Sequence, residues 1–212
     1  MDIVNNKTVF LSLAKKYIKR EGIENLLAWL ERSDFFVCPA STQYNLPVEG
    51  GLCMHALNVT DSLIQKYLGK SFTNLTEEDV QKDLGNEMTV ESLFIVGLFS
   101  SINKVNCYVK DTKNVKNKET GRWEAQEYWK WDEAFTYSGR GSKSVYILQQ
   151  YMRLYVEEAQ AIAFFLAGED SPFSNVLDTT YRKVYEKSSL SLFLHLAEME
   201  ATYFTDNISM DT

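Results

Sequence analysis

Apolar residues recur at three- and four-residue spacing along most of the chain, the pattern of helices that bury one face. Val9, Leu13, Ala14, Tyr17 and Ile18 predict a first helix, Ile23, Leu26, Leu27 and Leu30 a second, and Leu52, Ala56, Val59, Leu63 and Tyr67 a third. The same period over 88–103, 142–153, 155–167 and 189–205 predicts further helices.

Two stretches break the pattern. "DFFVCPASTQYNLPVEGG" (34–51) carries Pro39 and Pro47 and ends in Gly-Gly, so it reads as an ordered loop that delivers the chain into the third helix. From Val105 to Trp131 the period shortens, and "VNCYVKDTKNV" and "RWEAQEYWKW" flank the turn-like "KNKETG", which predicts a β-hairpin. The expected fold is mainly α, a helical bundle with a small β-hairpin insert at about 105–131.

With 212 residues, 45% of them hydrophobic, the chain is the right size for one domain over 1–212, and Pro172, like the earlier prolines, does not divide it. Cys38, Cys53 and Cys107 follow no CxxC spacing and form no even-numbered framework, as in a reducing, cytoplasmic setting. The first residues, "MDIVNNKTVFLSLAKKYIKR", alternate charged and apolar positions unlike a secretory leader, and runs such as "AIAFFLAG" are too short to span a membrane. A net charge of -7 argues against binding extended nucleic acid, but a local basic pocket for a small anion is compatible with it.

The candidate chemistry is sparse. His55 lies among Leu52, Ala56 and Val59 and faces inward, where a histidine is by default a hydrogen-bonded core residue. His195 and Glu198 form an HxxE spacing, less specific than HExxH and compatible with a structural hydrogen bond. Two histidines on different helices cannot build a His-rich dinuclear metal centre. Ser41, Thr42 and Tyr44 precede His55, but no GxSxG elbow, P-loop or Rossmann glycine pattern is present. Trp123, Tyr128, Trp129, Trp131, Phe135 and Tyr137 either pack the hairpin onto the helices or offer rings to a nucleobase or a protein. Lys104, Lys110, Lys113, Lys116, Lys118 and Arg122 make that region basic, as suits a solvated hairpin edge.

"FFVCPASTQYNLPVEGGLCMHALNV" resembles the loop and first metal-binding helix of a bacterial and phage branch of the HD-domain phosphohydrolases, where "PAST-x-Y" runs into "EGGLxxHSLNV". The likeness extends over residues 25–206 through "ESLFIVGLFSSINKVNCYVKDTKNVKNKETGRWE", "GRGSKSVYIL", "EEAQAIAFFLAG" and "LHLAEMEATY". It implies an HD-domain-like helical bundle in which histidines and aspartates bind divalent metals and activate water against phosphate esters. His55 matches the first histidine ligand. The His-Asp pair falls on Ser100 and Ser101, the histidine of "GHGEKS" on Arg140, that of "AIRWH" on Phe165, and the aspartate of "HLAD" on Glu198.

Serine hydroxyls are weak neutral ligands, an arginine puts a fixed positive charge where a cation would sit, and phenylalanine coordinates nothing. The resemblance with these replacements implies a degenerate site that needs no metal or cofactor. The function expected is binding, and sequestration, of a phosphate-bearing small molecule such as a nucleotide by His55, Ser100, Ser101, Lys104, Arg140 and Lys143. Two other classes stand beside it: a scaffold for a protein partner or a homo-oligomer built on a disused site, and a residual phosphohydrolase with water activated by His55 or Glu198.

Overall fold

The computed structural model describes residues 2–85, 88–118, 120–134, 139–166 and 174–206, with backbone alone at 174–179. Phe135 and Tyr137 lie outside the described residues. The described chain is mainly helical: α1 (Ile3–Tyr17), α2 (Ile23–Arg32), α3 (Gly51–Leu68), α4 (Glu77–Val80), α5 (Val90–Phe99), α6 (Arg140–Gln149), α7 (Val156–Ala163), α8 (Ser174–Lys187) and α9 (Ser189–Glu200). Strands β1 (Tyr108–Lys116) and β2 (Trp123–Trp131) pair antiparallel between α5 and α6.

The sequence of α5, "VESLFIVGLF", is apolar nearly all round, and every residue of it except Glu91 is buried. A helix with no polar face belongs inside. Helices α1, α3 and α7 pack around it, and α9 lies against α3 and α7. The α3–α5 contact is close because position 97 is glycine: a Cβ there would lie 2.8 Å from Thr60 Oγ1 and 2.9 Å from Thr60 Cα. Rings fill the α1 side, where Tyr17 stacks on Phe94 at 4.1 Å and Phe10 meets Phe35, Phe36 and Phe99. Each fully buried ring contributes roughly 1.5–3 kcal/mol.

The helix boundaries differ from the sequence expectation where side chains intervene. The apolar run of α5 ends at Phe99, and residues Ser100–Lys104 tighten into a 3-10 turn. There Ser144 Oγ on α6 donates to the Ser100 carbonyl at 2.6 Å, an acceptor that a continuing helix would use internally. The stretch 189–205 is α helix to Glu200 and a π turn over Ala201–Thr205. Helix α8 had no counterpart in the sequence expectation, because its residues are largely polar.

The loop over 34–51 is held by its own backbone and by Ser41, as the turn-rich sequence expects. Leu52 N donates to Cys38 O, Gly50 N to Val37 O, and Ser41 Oγ accepts from the amides of Tyr44 and Asn45. The hairpin pairs Tyr108 with Trp131 at its base and Lys116 with Trp123 at its tip. Its base is anchored by Tyr108, which is buried, donates to Ala40 O at 3.0 Å and meets Trp131 edge-on. Trp129 and Trp131 pack against the core, whereas Trp123 at the tip is 69% exposed. Among the described residues no helix is long and apolar enough to cross a membrane.

Candidate functional site

His55 sits in the first half of α3 and is completely buried. Both ring nitrogens are engaged by carboxylates: Nδ1 lies 2.8 Å from Asp206 Oδ2, and Nε2 lies 2.9 Å from Glu198 Oε1. Burial alone would push the imidazole down. The Glu198 charge, the hydrogen bonds to both carboxylates and the Asp206 charge outweigh it, and the pKa is raised to about 9. At neutral pH the ring is therefore an imidazolium donating from both nitrogens. Burial would raise Glu198 and Asp206, but the His55 charge and hydrogen bonds hold each below its ordinary carboxylate value.

Asp206 is further satisfied by Asn58 Nδ2 at 2.8 Å and Asn45 Nδ2 at 3.3 Å. Asn58 is one helical turn beyond His55 on α3, and Asn45 comes from the preceding loop. The network therefore clamps loop, α3, α9 and the π turn together. Glu198 Oε2 is buried and has no hydrogen-bond partner among the described residues.

A cleft of about 270 Å³ opens beside this network. Ser41, Thr42 and Asn45 of the loop form one wall, Phe165, Leu166 and His195 another, and Tyr108 and Trp131 of the hairpin base a third. Glu198 and Lys104 line it as well. Lys104, at the end of the 3-10 turn, is only 9% exposed, and its ammonium has no hydrogen-bond or ion-pair partner among the described residues. Desolvation lowers its pKa, against the opposing charges of Glu198 and Asp206.

The sequence-predicted site residues divide into those that share the cleft and those that do not. Lys104, Arg140, Phe165 and Glu198 line it, and the Arg140 guanidinium lies 5.8 Å from the Trp131 ring centre. His55 stands behind Glu198. Ser100 and Ser101 are buried and do not line the cleft; Ser101 Oγ has no hydrogen-bond partner among the described residues. Lys143 does not line it either, since its ammonium lies 2.6 Å from Glu133 Oε1 and 3.0 Å from Cys107 Sγ. Within the HxxE pair the two side chains act separately: His195 Nδ1 lies 2.8 Å from Phe165 O and its ring stacks on Tyr185, while Glu198 turns to His55.

Sequence reasoning missed Asp206. Its partner Asn58 stands three positions after His55 in the quoted "HALN", a polar side chain on an otherwise buried helix face and the one available hint of a network there.

The arrangement does not fit the metal that HD-type chemistry would require. Both ring nitrogens of His55 are already hydrogen-bonded to carboxylates, and Phe165 and Arg140 contribute no ligand. Among the described residues no group of three or more His, Cys, Asp or Glu is placed to hold a metal ion. The donor set present can instead neutralise and hydrogen-bond an anion.

No family model, curated protein or solved structure matches this chain.

Proposed function

We propose that this chain is a catalytically degenerate HD-type domain that binds, and by binding sequesters, a phosphate-bearing small molecule of nucleotide type in the cleft beside His55. The observation that carries this proposal is Lys104, a nine-tenths buried residue that lines a cleft and whose ammonium has no hydrogen-bond or ion-pair partner among the described residues. Burying an unpaired charge is costly, and an anionic ligand relieves that cost by completing a charge-assisted hydrogen bond. Arg140 at the mouth presents the planar donor geometry that phosphate oxygens match.

The rest of the cleft suits the remainder of such a ligand. Trp131, Phe165 and Tyr203 supply apolar and aromatic walls, while Ser41 and Thr42 supply hydroxyls for a sugar. At about 270 Å³ the space lies just below the roughly 300–1,000 Å³ range of small-molecule pockets, which limits the ligand to no more than one nucleotide unit. Hydrolysis is a weaker proposal on this geometry. His55, protonated and buried between two carboxylates, is not a base for water. The scaffold alternative draws on the exposed Tyr203 and Phe204 and predicts no small ligand.

Calorimetric titration with a nucleoside 5′-monophosphate tests the proposal. Wild type should bind, and Lys104→Met, which keeps the apolar stem without the charge, should weaken binding at least about tenfold. Equal affinity in the two proteins, or no binding by the wild type, would refute it.

A further inference from the structure

The cleft beside His55 offers acceptors as well as cations. Its α9 wall carries His195 and Glu198, three residues apart and therefore on one face of the helix. His195 Nδ1 lies 2.8 Å from the Phe165 carbonyl, an oxygen that can only accept, so the neutral ring carries its proton on Nδ1 and keeps a lone pair on Nε2. That nitrogen has no hydrogen-bond partner among the described residues. Glu198 is left in the same condition: Oε1 is taken by His55, and Oε2 is buried without a partner among the described residues.

A buried carboxylate oxygen left unpaired costs free energy that a donor restores. The neighbouring donors are committed elsewhere. The Tyr108 hydroxyl donates to Ala40 O, Ser41 Oγ to Asn45 O, and Asn45 Nδ2 to Asp206. Lys104 acts on Glu198 through its charge but forms no ion pair with it among the described residues. A ligand in the cleft is then the group that can supply the missing donor, and it must do so while bringing an anion to the cations.

Resting on the reading of the cleft as a nucleotide site, we infer that its ligand is a nucleotide whose base carries an exocyclic amino group, which donates to Glu198 Oε2 and His195 Nε2 while the phosphate meets Lys104 and Arg140. The base, rather than the sugar, belongs at this wall because His195 is tied to Phe165, which lines the cleft with Leu166 and gives a flat apolar ring a surface to pack on with its edge toward α9. One amino nitrogen carries two hydrogens and can serve both acceptors. A ring carbonyl in its place brings lone pairs against lone pairs, and a bare C–H leaves Glu198 Oε2 unpaired. The cleft therefore admits adenine, guanine or cytosine and rejects hypoxanthine and uracil, as a site built to pair a donor rejects an analogue that lacks it.

The test is calorimetric titration of the full chain with matched pairs that differ by one amino group: adenosine against purine riboside 5′-monophosphate, and guanosine against inosine 5′-monophosphate. In whichever pair binds more tightly, the amino-bearing member should exceed its partner by at least about tenfold, the worth of a hydrogen bond to a charged group. His195→Phe keeps a ring against Tyr185 but lacks the acceptor, and should reduce that ratio at least about threefold. Equal affinities within both pairs would overturn this inference and leave the phosphate site standing. A ratio unchanged in the variant would overturn the part given to His195, and absence of binding by every probe would overturn both readings.

Discussion

The carboxylate of Asp206 lies 2.8 Å from Nδ1 of His55, across 151 positions of sequence. The last described helical turn is thereby fixed to the first half of α3 by a charge-assisted hydrogen bond out of reach of solvent, since both residues are fully buried. Glu198, on the opposite ring nitrogen, lines the cleft, so the clamp is also one wall of the proposed binding site.

Removing one partner from such a buried set strands the others. His55→Ala leaves Glu198 and Asp206 without their shared cation and should cost about 3–5 kcal/mol of stability. Urea denaturation measures it. A variant within about 1 kcal/mol of the wild type would mean that the network does not hold the helices together.

The same network sets the response to pH. The His55 pKa is raised from 6.5 to about 9 in the folded protein. Its stabilisation is therefore fully present below about 6.5 and is lost as pH rises through about 9. Glu198 and Asp206 are shifted down, so their contribution is present above their ordinary values of 4.5 and 3.8 and is lost as pH falls through the lowered ones. Stability from this source should peak between the carboxylate range and about 6.5, then fall by up to about 1.4 kcal/mol per pH unit toward pH 9. Urea midpoints from pH 5 to 9.5 read the decline, and His55→Gln should remove it. A wild-type profile that is flat above pH 6.5 would show that the ring is neutral.

Much of the fold was legible because helices that bury one face repeat their apolar residues at 3.6-residue spacing, and the first three helices needed no more than that, while the hairpin showed in its shortened period and the turn-like "KNKETG". The inward face of His55 was legible for the same reason: Leu52, Ala56 and Val59 surround it in sequence, and all are buried. What surrounds the ring in space was less so. Asp206 reaches it only through the path of α9 and the π turn, which no local spacing encodes. Nor does spacing show that Lys143 spends its charge on Glu133, whereas Lys104, on the neighbouring turn, ends in a cleft. Both are lysines near small polar residues, and only the packing separates them.

Lys104 should trade stability for binding. Desolvation disfavours its charge in the folded state, so Lys104→Met should leave stability level or raise it by about 1 kcal/mol while anion binding is lost. Thermal unfolding without ligand and calorimetry with a nucleoside monophosphate give the two readouts on one preparation. A drop of more than about 2 kcal/mol would instead identify the ammonium as a structural countercharge of Glu198 and Asp206.

Gly141 determines how closely the first turn of α6 approaches α7, and through that where Arg140 stands. A Cβ at position 141 would lie 2.4 Å from Ile162 O and 2.5 Å from Ala163 O. Those are backbone atoms that cannot swing aside like the end of a flexible side chain, so Gly141→Ala must move α6 or α7. The cost should be about 1–3 kcal/mol of overpacking. The displacement also carries Arg140, one residue away, relative to Phe165 just beyond α7, and both line the cleft. Ligand affinity in the surviving folded protein should therefore fall, and more than in a control such as Gly69→Ala, which strains the left-handed C-cap of α3 (φ 70°) but does not line the cleft and whose added methyl meets nothing within 4 Å. Paired denaturation and titration of the two variants decide it. Unchanged affinity in a destabilised Gly141→Ala protein would separate the packing of α6 from the cleft and place Arg140 outside the binding geometry.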